Sequence, residues 1–326
     1  MKNERIYRTQ LTQHETQKLN RELQEFQEAN TWVDDNPVAQ WRIGQAVADI
    51  LKRVAPRIVQ TLERVRAGEM DAVYIEGLPA DLPRAQVLLL GLTHHLGAPF
   101  NYASQNGGDL VMKLQPVKGS AENTNSTTAE FKLHTDDAAV PRDARTASIC
   151  LYGIKNPPGT MTGYAPTLNA LAELQTCTAA SALIEALYEP RYSVRFPTSF
   201  GLDREVWTGP IPIISVATDG SFETRFPSYA IRPVDDRDFV AHAAIAMFSA
   251  ALQRQVVNVP VNAGCFLAFN NLRGAHCRGA IGAGERLVLR TYAVNSLEPL
   301  KKATGVAGPI FPVEPFARAA RAVRTK

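Results

Sequence analysis

The chain has 326 residues, 45% of them hydrophobic and 21% charged, with a formal net charge of +3. That is the composition of an ordinary globular protein, and so small a charge leaves no electrostatic footprint for nucleic acid. The four cysteines (Cys150, Cys177, Cys265, Cys277) have no metal-type C-x-x-C spacing and suggest no disulfide framework. No apolar run of about 18 residues is present to span a membrane. The polar opening Met1-Lys-Asn-Glu-Arg lacks an apolar signal core, so a cytoplasmic setting is expected.

Residues 12–68 read as mostly helix, with Ile43, Val47, Ile50, Leu51 and Val54 close to a three-to-four-residue period. Ala72-Val-Tyr-Ile-Glu-Gly then reads as a short strand, and Arg84 to Leu96 as another helix carrying His94-His95 at its end. Helical neighbours point in different directions, so this pair reads as packing residues and not as ligands. His14 and His242 also fall in helical sequence.

From Leu110 onward short strands are separated by Pro, Gly and Asn: 110–114, 131–134, 147–152, 213–217, 265–269 and 286–294. Two helices are predicted among them, over 167–188 and 235–256, the second opened by acidic residues. This pattern predicts a mainly β core with flanking helices, a sandwich or barrel. A single domain over 1–326 is expected: a mostly helical part to residue 96, a strand-rich core over 97–296, and a tail over 297–326. The basic residues of that tail read as a solvated surface.

Phe131-Lys-Leu-His134-Thr-Asp136-Asp137 looks like a strand running into a loop. Alternation puts positions 134 and 136 on one face and turns Asp137 away, to cap a turn or meet solvent. A second imidazole, His276, lies just past the apolar strand 265–269 in Asn270-Asn-Leu-Arg-Gly-Ala-His276. Two His and one carboxylate facing one point form the ligand set of non-haem Fe(II) sites, and also suit a zinc-bound water. Arg290 sits in the apolar strand Arg286-Leu-Val-Leu-Arg-Thr-Tyr-Ala-Val. A guanidinium held there is costly without an anion, and its planar fork matches a carboxylate.

These residues resemble the Fe(II)/2-oxoglutarate-dependent dioxygenases of the taurine dioxygenase and clavaminate synthase-like superfamily. The pattern is H-x-D, a distant second His and an Arg shortly after it, here His134, Asp136, His276 and Arg290. The stretches from Gln105 and Leu114, the polar run Asn123-Thr-Asn-Ser126-Thr-Thr, and Asn270-Asn-Leu-Arg-x-x-His-x-Arg look most like the clavaminate synthase and amino-acid hydroxylase branch. The resemblance covers roughly residues 97–296.

It implies a double-stranded β-helix core, jelly-roll and cupin-like, with iron held by His134, Asp136 and His276. It further implies 2-oxoglutarate as cosubstrate, with Arg290 and Thr162, or Thr160, on its carboxylate, and O2 as oxidant. The implied reaction is hydroxylation of an unactivated C–H bond of a small polar metabolite, most naturally a free amino acid or derivative, with succinate and CO2 released. Asp136 argues against halogenation, since related halogenases keep a small residue there. Arg225 and Ser126 are the substrate-binding candidates, and Trp207 is a candidate lid residue. The other readings are a sulfonate or carrier-bound amino acid as substrate, a zinc-dependent hydrolase using the same ligands, and a non-catalytic binding protein. Homodimer assembly is left open.

Overall fold

The computed structural model describes residues 6–30, 32, 34–120, 122–216 and 220–324. The first part runs β1 (Tyr7–Gln10), α1 (Gln13–Ala29), α2 (Pro37–Val54), α3 (Pro56–Arg66), β2 (Ala72–Glu76) and α4 (Leu82–His94). Each helix starts where its sequence supplies a cap or a proline. Thr12 and Glu15 form a capping box on α1, Asn36 and Pro37 open α2, Pro56 opens α3, and Asp81 caps α4.

The second part runs β3 (Ala98–Tyr102), β4 (Met112–Leu114), β5 (Phe131–His134), β6 (Ser148–Lys155) and β7 (Thr162–Pro166), then α5 (Thr167–Leu174) and α6 (Ser181–Leu187). It continues through β8 (Tyr192–Val194), β9 (Ile214–Val216), β10 (Phe222–Thr224), β11 (Ile231–Pro233) and α7 (Phe239–Gln255). The last elements are β12 (Val257–Val259), β13 (Phe266–Asn270), β14 (Gly274–Arg278), β15 (Leu287–Val294), α8 (Glu298–Thr304), β16 (Ile310–Phe311) and α9 (Glu314–Arg324).

The large sheet has the order β1-β2-β13-β6-β15-β3-β16, with β4 also paired to β15; a smaller one has the order β12-β7-β14-β5. Alternation along the large sheet feeds two cores. Val73, Ile75, Cys150, Tyr152, Phe266, Ala268 and Leu289 pack under α1 to α4. Their neighbours Tyr74, Ile149, Leu151, Leu267, Phe269, Val288 and Tyr292 pack with Tyr164 and Val259 of the smaller sheet. The far face of the smaller sheet, through Leu133, Ala165 and Ala275, is covered by α5, α6 and α7. The two sheets therefore lie between two helical layers.

Close packing in the first layer depends on two glycines. A Cβ on Gly91 would lie 2.6 Å from Val47 Cγ1, and one on Gly44 would lie 2.8 Å from Leu90 Cβ, so α2 and α4 pack backbone to side chain.

Three expectations need correction. The chain is not mainly β, because the four N-terminal helices and α5 to α7 give the helices more residues than the strands. The segment predicted as a helix over 167–188 is broken between α5 and α6. The tail is not simply a solvated surface: Ile310 and Phe311 pair with Asn101 and Tyr102 of β3, and Phe311, Val313 and Phe316 are buried in the core. Its charged residues Lys302 and Arg318 do stay exposed, while the last two residues lie outside the described part. No helix among the described residues is long and apolar enough to cross a membrane.

Candidate metal centre

His134 ends β5, Asp136 follows in the loop, and His276 lies directly opposite His134 in the β14–β5 ladder. The second imidazole is thus inside a strand and not merely past the end of one. One potential ligand atom from each of His134, Asp136 and His276 lies within 4.8 Å of the others. Asp136 Oδ1 is 3.2 Å from His134 Nε2 and 3.8 Å from His276 Nε2.

The His134 Nδ1–H donates to the Lys132 carbonyl at 2.7 Å, which leaves the Nε2 lone pair facing Asp136. His134 Nε2 and His276 Nδ1 are both buried with no hydrogen-bond partner among the described residues. Burial, reinforced by His134, pulls His276 well below its ordinary 6.5, so its ring is neutral and its lone pair available. Buried polar atoms left unpaired beside a carboxylate are what a bound cation would satisfy. The donor set, two imidazoles and one carboxylate on one side, fits Fe(II). Phe131 stacks on His134 with centroids 3.9 Å apart and Phe269 lies 4.8 Å from His276, so aromatic walls hold both rings.

Asp136 is held from behind. Its Oδ2 accepts from the Tyr292 hydroxyl at 2.7 Å and from Arg290 Nη1 at 3.3 Å, leaving Oδ1 toward the imidazoles. Burial opposes its charge, but His134, His276 and Arg290 outweigh that and hold it well below the usual carboxylate range. Asn271 fixes the loop backbone: its Oδ1 accepts from Asp136 N at 2.8 Å, and its Nδ2 donates to the carbonyls of Asp136 and Thr146 at 3.0 and 2.9 Å. Asp137 points away from the imidazoles, as alternation requires, but it does not meet solvent. It is buried and accepts from Tyr102 and Thr146. Burial and the adjacent Asp136 charge push it up to about 7.

Two cavities flank the three residues. The larger, about 130 Å³, is lined by Gln105, Asn123, Phe131, Arg195, Tyr229 and Tyr292 among others. The smaller lies between the two sheets, with Thr162, Cys277, Arg278, Arg286 and Arg290 on its walls. It is a cation-rich enclosure without a carboxylate on its lining. Arg278 donates to the carbonyls of Thr127 and Gly279. Arg290 is engaged by Asp136, by Gln105 Oε1 at 3.1 Å and by Met112.

Both Arg290 and Arg286 keep unpaired N–H groups: Arg290 Nε, and Arg286 Nε and Nη1, are buried without a hydrogen-bond partner among the described residues. Burial together with Arg278 brings Arg286 down to about 10, still charged at neutral pH. Two guanidiniums on this wall therefore offer unpaired N–H groups to an incoming anion, Arg290 next to Asp136 and Arg286 next to Arg278. The sequence points to Arg290, which does line this cavity, but does not single out Arg286 beside it. Two-residue alternation was the signal, since 286, 288, 290 and 292 share one face of an apolar strand. Thr162 lines this cavity, whereas Thr160 does not: its hydroxyl accepts from Gly282 N at 3.0 Å.

The two substrate candidates from sequence do not reach either cavity. Arg225 Nη1 points to the Ala138 carbonyl at 3.4 Å, and Ser126 is engaged through its carbonyl by Val117 N at 3.0 Å. Trp207 is not a lid over the metal residues. It carries the Arg232 guanidinium 4.1 Å from its ring and donates to Glu205. Gln105, Arg195, Tyr229 and Tyr292 take the places on the walls. Each is contributed by a separate segment whose convergence only the fold reveals.

No family model and no curated protein sequence matches the chain. Solved structures do. Asparagine oxygenase in complex with Fe(II), 2S,3S-3-hydroxyasparagine and succinate matches with a TM-score of 0.81 at 19% identity, over 94% of this chain and 99% of that one. The non-heme iron oxygenase OrfP, in complex with Fe, succinate and (3R,4R)-dihydroxy-L-Arg, matches with a TM-score of 0.77 at 18% identity, over 94% and 99%. OrfP in complex with Fe and alpha-ketoglutaric acid gives 0.76 at 19%, over 93% and 98%. Over 93–94% of its length this chain has the fold of these non-heme iron oxygenases.

Proposed function

We propose that the chain is an Fe(II)- and 2-oxoglutarate-dependent oxygenase that hydroxylates an unactivated C–H bond of a small polar metabolite, a free amino acid or derivative. The observation that carries this is the pairing of a convergent His134–Asp136–His276 set with a cation-lined cavity holding the unpartnered Arg286. A metal site alone suits several chemistries. A metal site beside a buried carboxylate receptor suits a chelating keto acid. In this reading the two facing sheets are the walls of a double-stranded β-helix, and residues 1–326 form one oxygenase domain. The similar oxygenases, solved with iron, 2-oxoglutarate or succinate, and hydroxylated amino acids, agree with it.

Iron and 2-oxoglutarate, when bound, supply the oxidant for C–H hydroxylation from O2, with succinate and CO2 as the other products. The chain's own residues prepare that site. His134 and His276 offer imidazole nitrogens, and Asp136 offers Oδ1 while Tyr292 and Arg290 secure Oδ2. Arg286 and Thr162 receive the distal carboxylate of the cosubstrate. Phe131 and Phe269 close off water from the imidazoles and keep their orientation. Tyr229, Phe131 and Gln105 line the cavity on the opposite side, where the substrate enters.

A hydrolytic zinc site would leave Arg286 and Thr162 without a task. The test is anaerobic addition of Fe(II) and 2-oxoglutarate, followed by exposure to air. A visible charge-transfer band and then succinate release, blocked by N-oxalylglycine, are expected. Absence of the band and of succinate, with hydrolytic turnover on zinc, would sink the assignment.

A further inference from the structure

The larger cavity carries information about the substrate that the metal residues do not. Its wall holds a cation, Arg195, placed just after β8 and tied by its backbone N–H to the Ala230 carbonyl at 2.9 Å. That bond sets Arg195 beside the segment carrying Tyr229. The Tyr229 ring lies 5.9 Å from His134, and its hydroxyl makes no hydrogen bond among the described residues. Arg195 and Tyr229 line the same cavity.

The ion pair that engages Arg195 is with Glu205 at 3.3 Å, and the two side chains are 31% and 56% exposed. Exposed pairs of this kind hold their partners weakly, so the guanidinium is free to turn to a ligand. Thr198 and Ser199 add hydroxyls to the same wall.

The carboxylates on this cavity tell the other half. Asp136 belongs to the metal set, and Asp137 is buried against Tyr102 and Thr146. Glu122 is at the exposed rim. A cationic side chain brought inside would meet Arg195 and find no unused buried carboxylate, an expensive arrangement. A hydrocarbon side chain would cover the Tyr229 hydroxyl without pairing it and would give Arg195 nothing beyond Glu205. A terminal acceptor oxygen satisfies both, and Glu122 at the rim suits the substrate ammonium group.

Building on the oxygenase reading, we propose that the substrate is an α-amino acid whose side chain ends in a carboxylate or carboxamide, and that Arg195 with Tyr229 reads that end. Both residues are specificity determinants and take no part in holding the metal.

The test is a panel of aspartate, asparagine, glutamate and glutamine against arginine, lysine and leucine. Succinate and the hydroxylated product are measured with Fe(II), 2-oxoglutarate and ascorbate. The acceptor-ended amino acids should turn over best. Arg195→Ala should lower kcat/KM for the best of them by roughly 10- to 100-fold, and Tyr229→Phe by about tenfold. Arg195→Glu should move the preference toward arginine and lysine.

Equilibrium titration of the best amino acid into protein loaded with Mn(II) and 2-oxoglutarate should weaken by a similar factor in Arg195→Ala, giving a readout that does not depend on turnover. Wild-type preference for a cationic or hydrocarbon side chain would overturn the inference, as would unchanged kcat/KM and binding in Arg195→Ala. If the anaerobic charge-transfer band forms but no panel member is oxidised, the specificity assignment fails alone. If the band itself is missing, the oxygenase reading fails and takes this inference with it.

Discussion

Two pairs of histidines, all buried but for the half-buried His94, occupy different regions of the molecule and behave differently. In the helical layer, His94 ends α4 and His95 follows it. Their Nε2 atoms face the carbonyls of Trp41 and Ala48 on α2, at 3.1 and 3.2 Å. Between the sheets, His134 and His276 each turn Nε2 toward one carboxylate, and each keeps a buried ring nitrogen with no hydrogen-bond partner among the described residues. Burial pulls His94, His95 and His276 alike below the ordinary imidazole value. Depressed basicity therefore does not distinguish a ligand from a packing residue. What distinguishes it is an unspent lone pair aimed where other unspent donors converge.

The sharpest way to break that contrast is to remove one member of each pair. His134→Ala, His276→Ala or Asp136→Ala should lower iron affinity and turnover on the order of a thousandfold, since loss of a ligand exceeds the effect of losing its supporting contacts. His94→Gln should leave iron binding, followed by equilibrium titration, as it was. Equal damage from both substitutions would show that burial and not convergence matters.

The cations of the inner cavity offer the next test. Arg286→Met should raise the 2-oxoglutarate KM by about 100-fold, the loss expected for a charge-assisted pair. Arg290→Met should act more on iron affinity, because it removes a cation from Asp136. If Arg290→Met costs more in 2-oxoglutarate affinity than Arg286→Met, the clamp is Arg290, as the sequence had suggested.

Substitutions in the helical layer should cost stability with no effect on the metal. Gly91→Ala places a Cβ 2.6 Å from Val47 Cγ1 and should lower the unfolding free energy by roughly 2 kcal/mol. Urea denaturation and metal titration on the same sample separate the two effects.

An effect no larger than that of Gly91→Ala is expected in the pH dependence of this layer. His94 is held down to about 4 from 6.5, chiefly by burial. A group depressed by folding contributes fully above its unfolded value, and that contribution is lost as pH falls from 6.5 toward 4. The loss is on the order of 2 kcal/mol once partial exposure is allowed for. Thermal melts of metal-free protein across that window should show it, and His94→Gln should flatten the slope.

The metal residues were legible because they depend on rules that act locally. Strand alternation placed His134 and Asp136 together and excluded Asp137. An apolar strand before Asn270 brought His276 to the same neighbourhood. The strand-rich middle and the helical start were legible for the same reason, since residues 43–54 and 72–76 carry clear periods. The two-residue β16 is too short to carry a pattern and β14, Gly-Ala-His-Cys-Arg, lacks a run of strand-forming residues, so both were missed, and with them the burial of Phe311. Arg286 was visible in the sequence but unremarkable until its nitrogens proved unpaired. Arg225 and Ser126 failed because side-chain direction after a short strand or within a loop is set by tertiary contacts. Arg195 and Tyr229 belong to segments with no local pattern at all.

The pairing of His276 with His134 has a consequence for how the protein matures. The β5 strand is synthesised long before β14, and the large sheet likewise places β13 and β15 on either side of the earlier β6. Nonlocal ladders of this kind form late and slowly. A ribosome-bound chain that has displayed only the first histidine offers an incoming ion an incomplete grip. On the oxygenase reading the ligand set is complete only once β14 has paired with β5 in this register, since a slip by one residue would turn His276 to the opposite face.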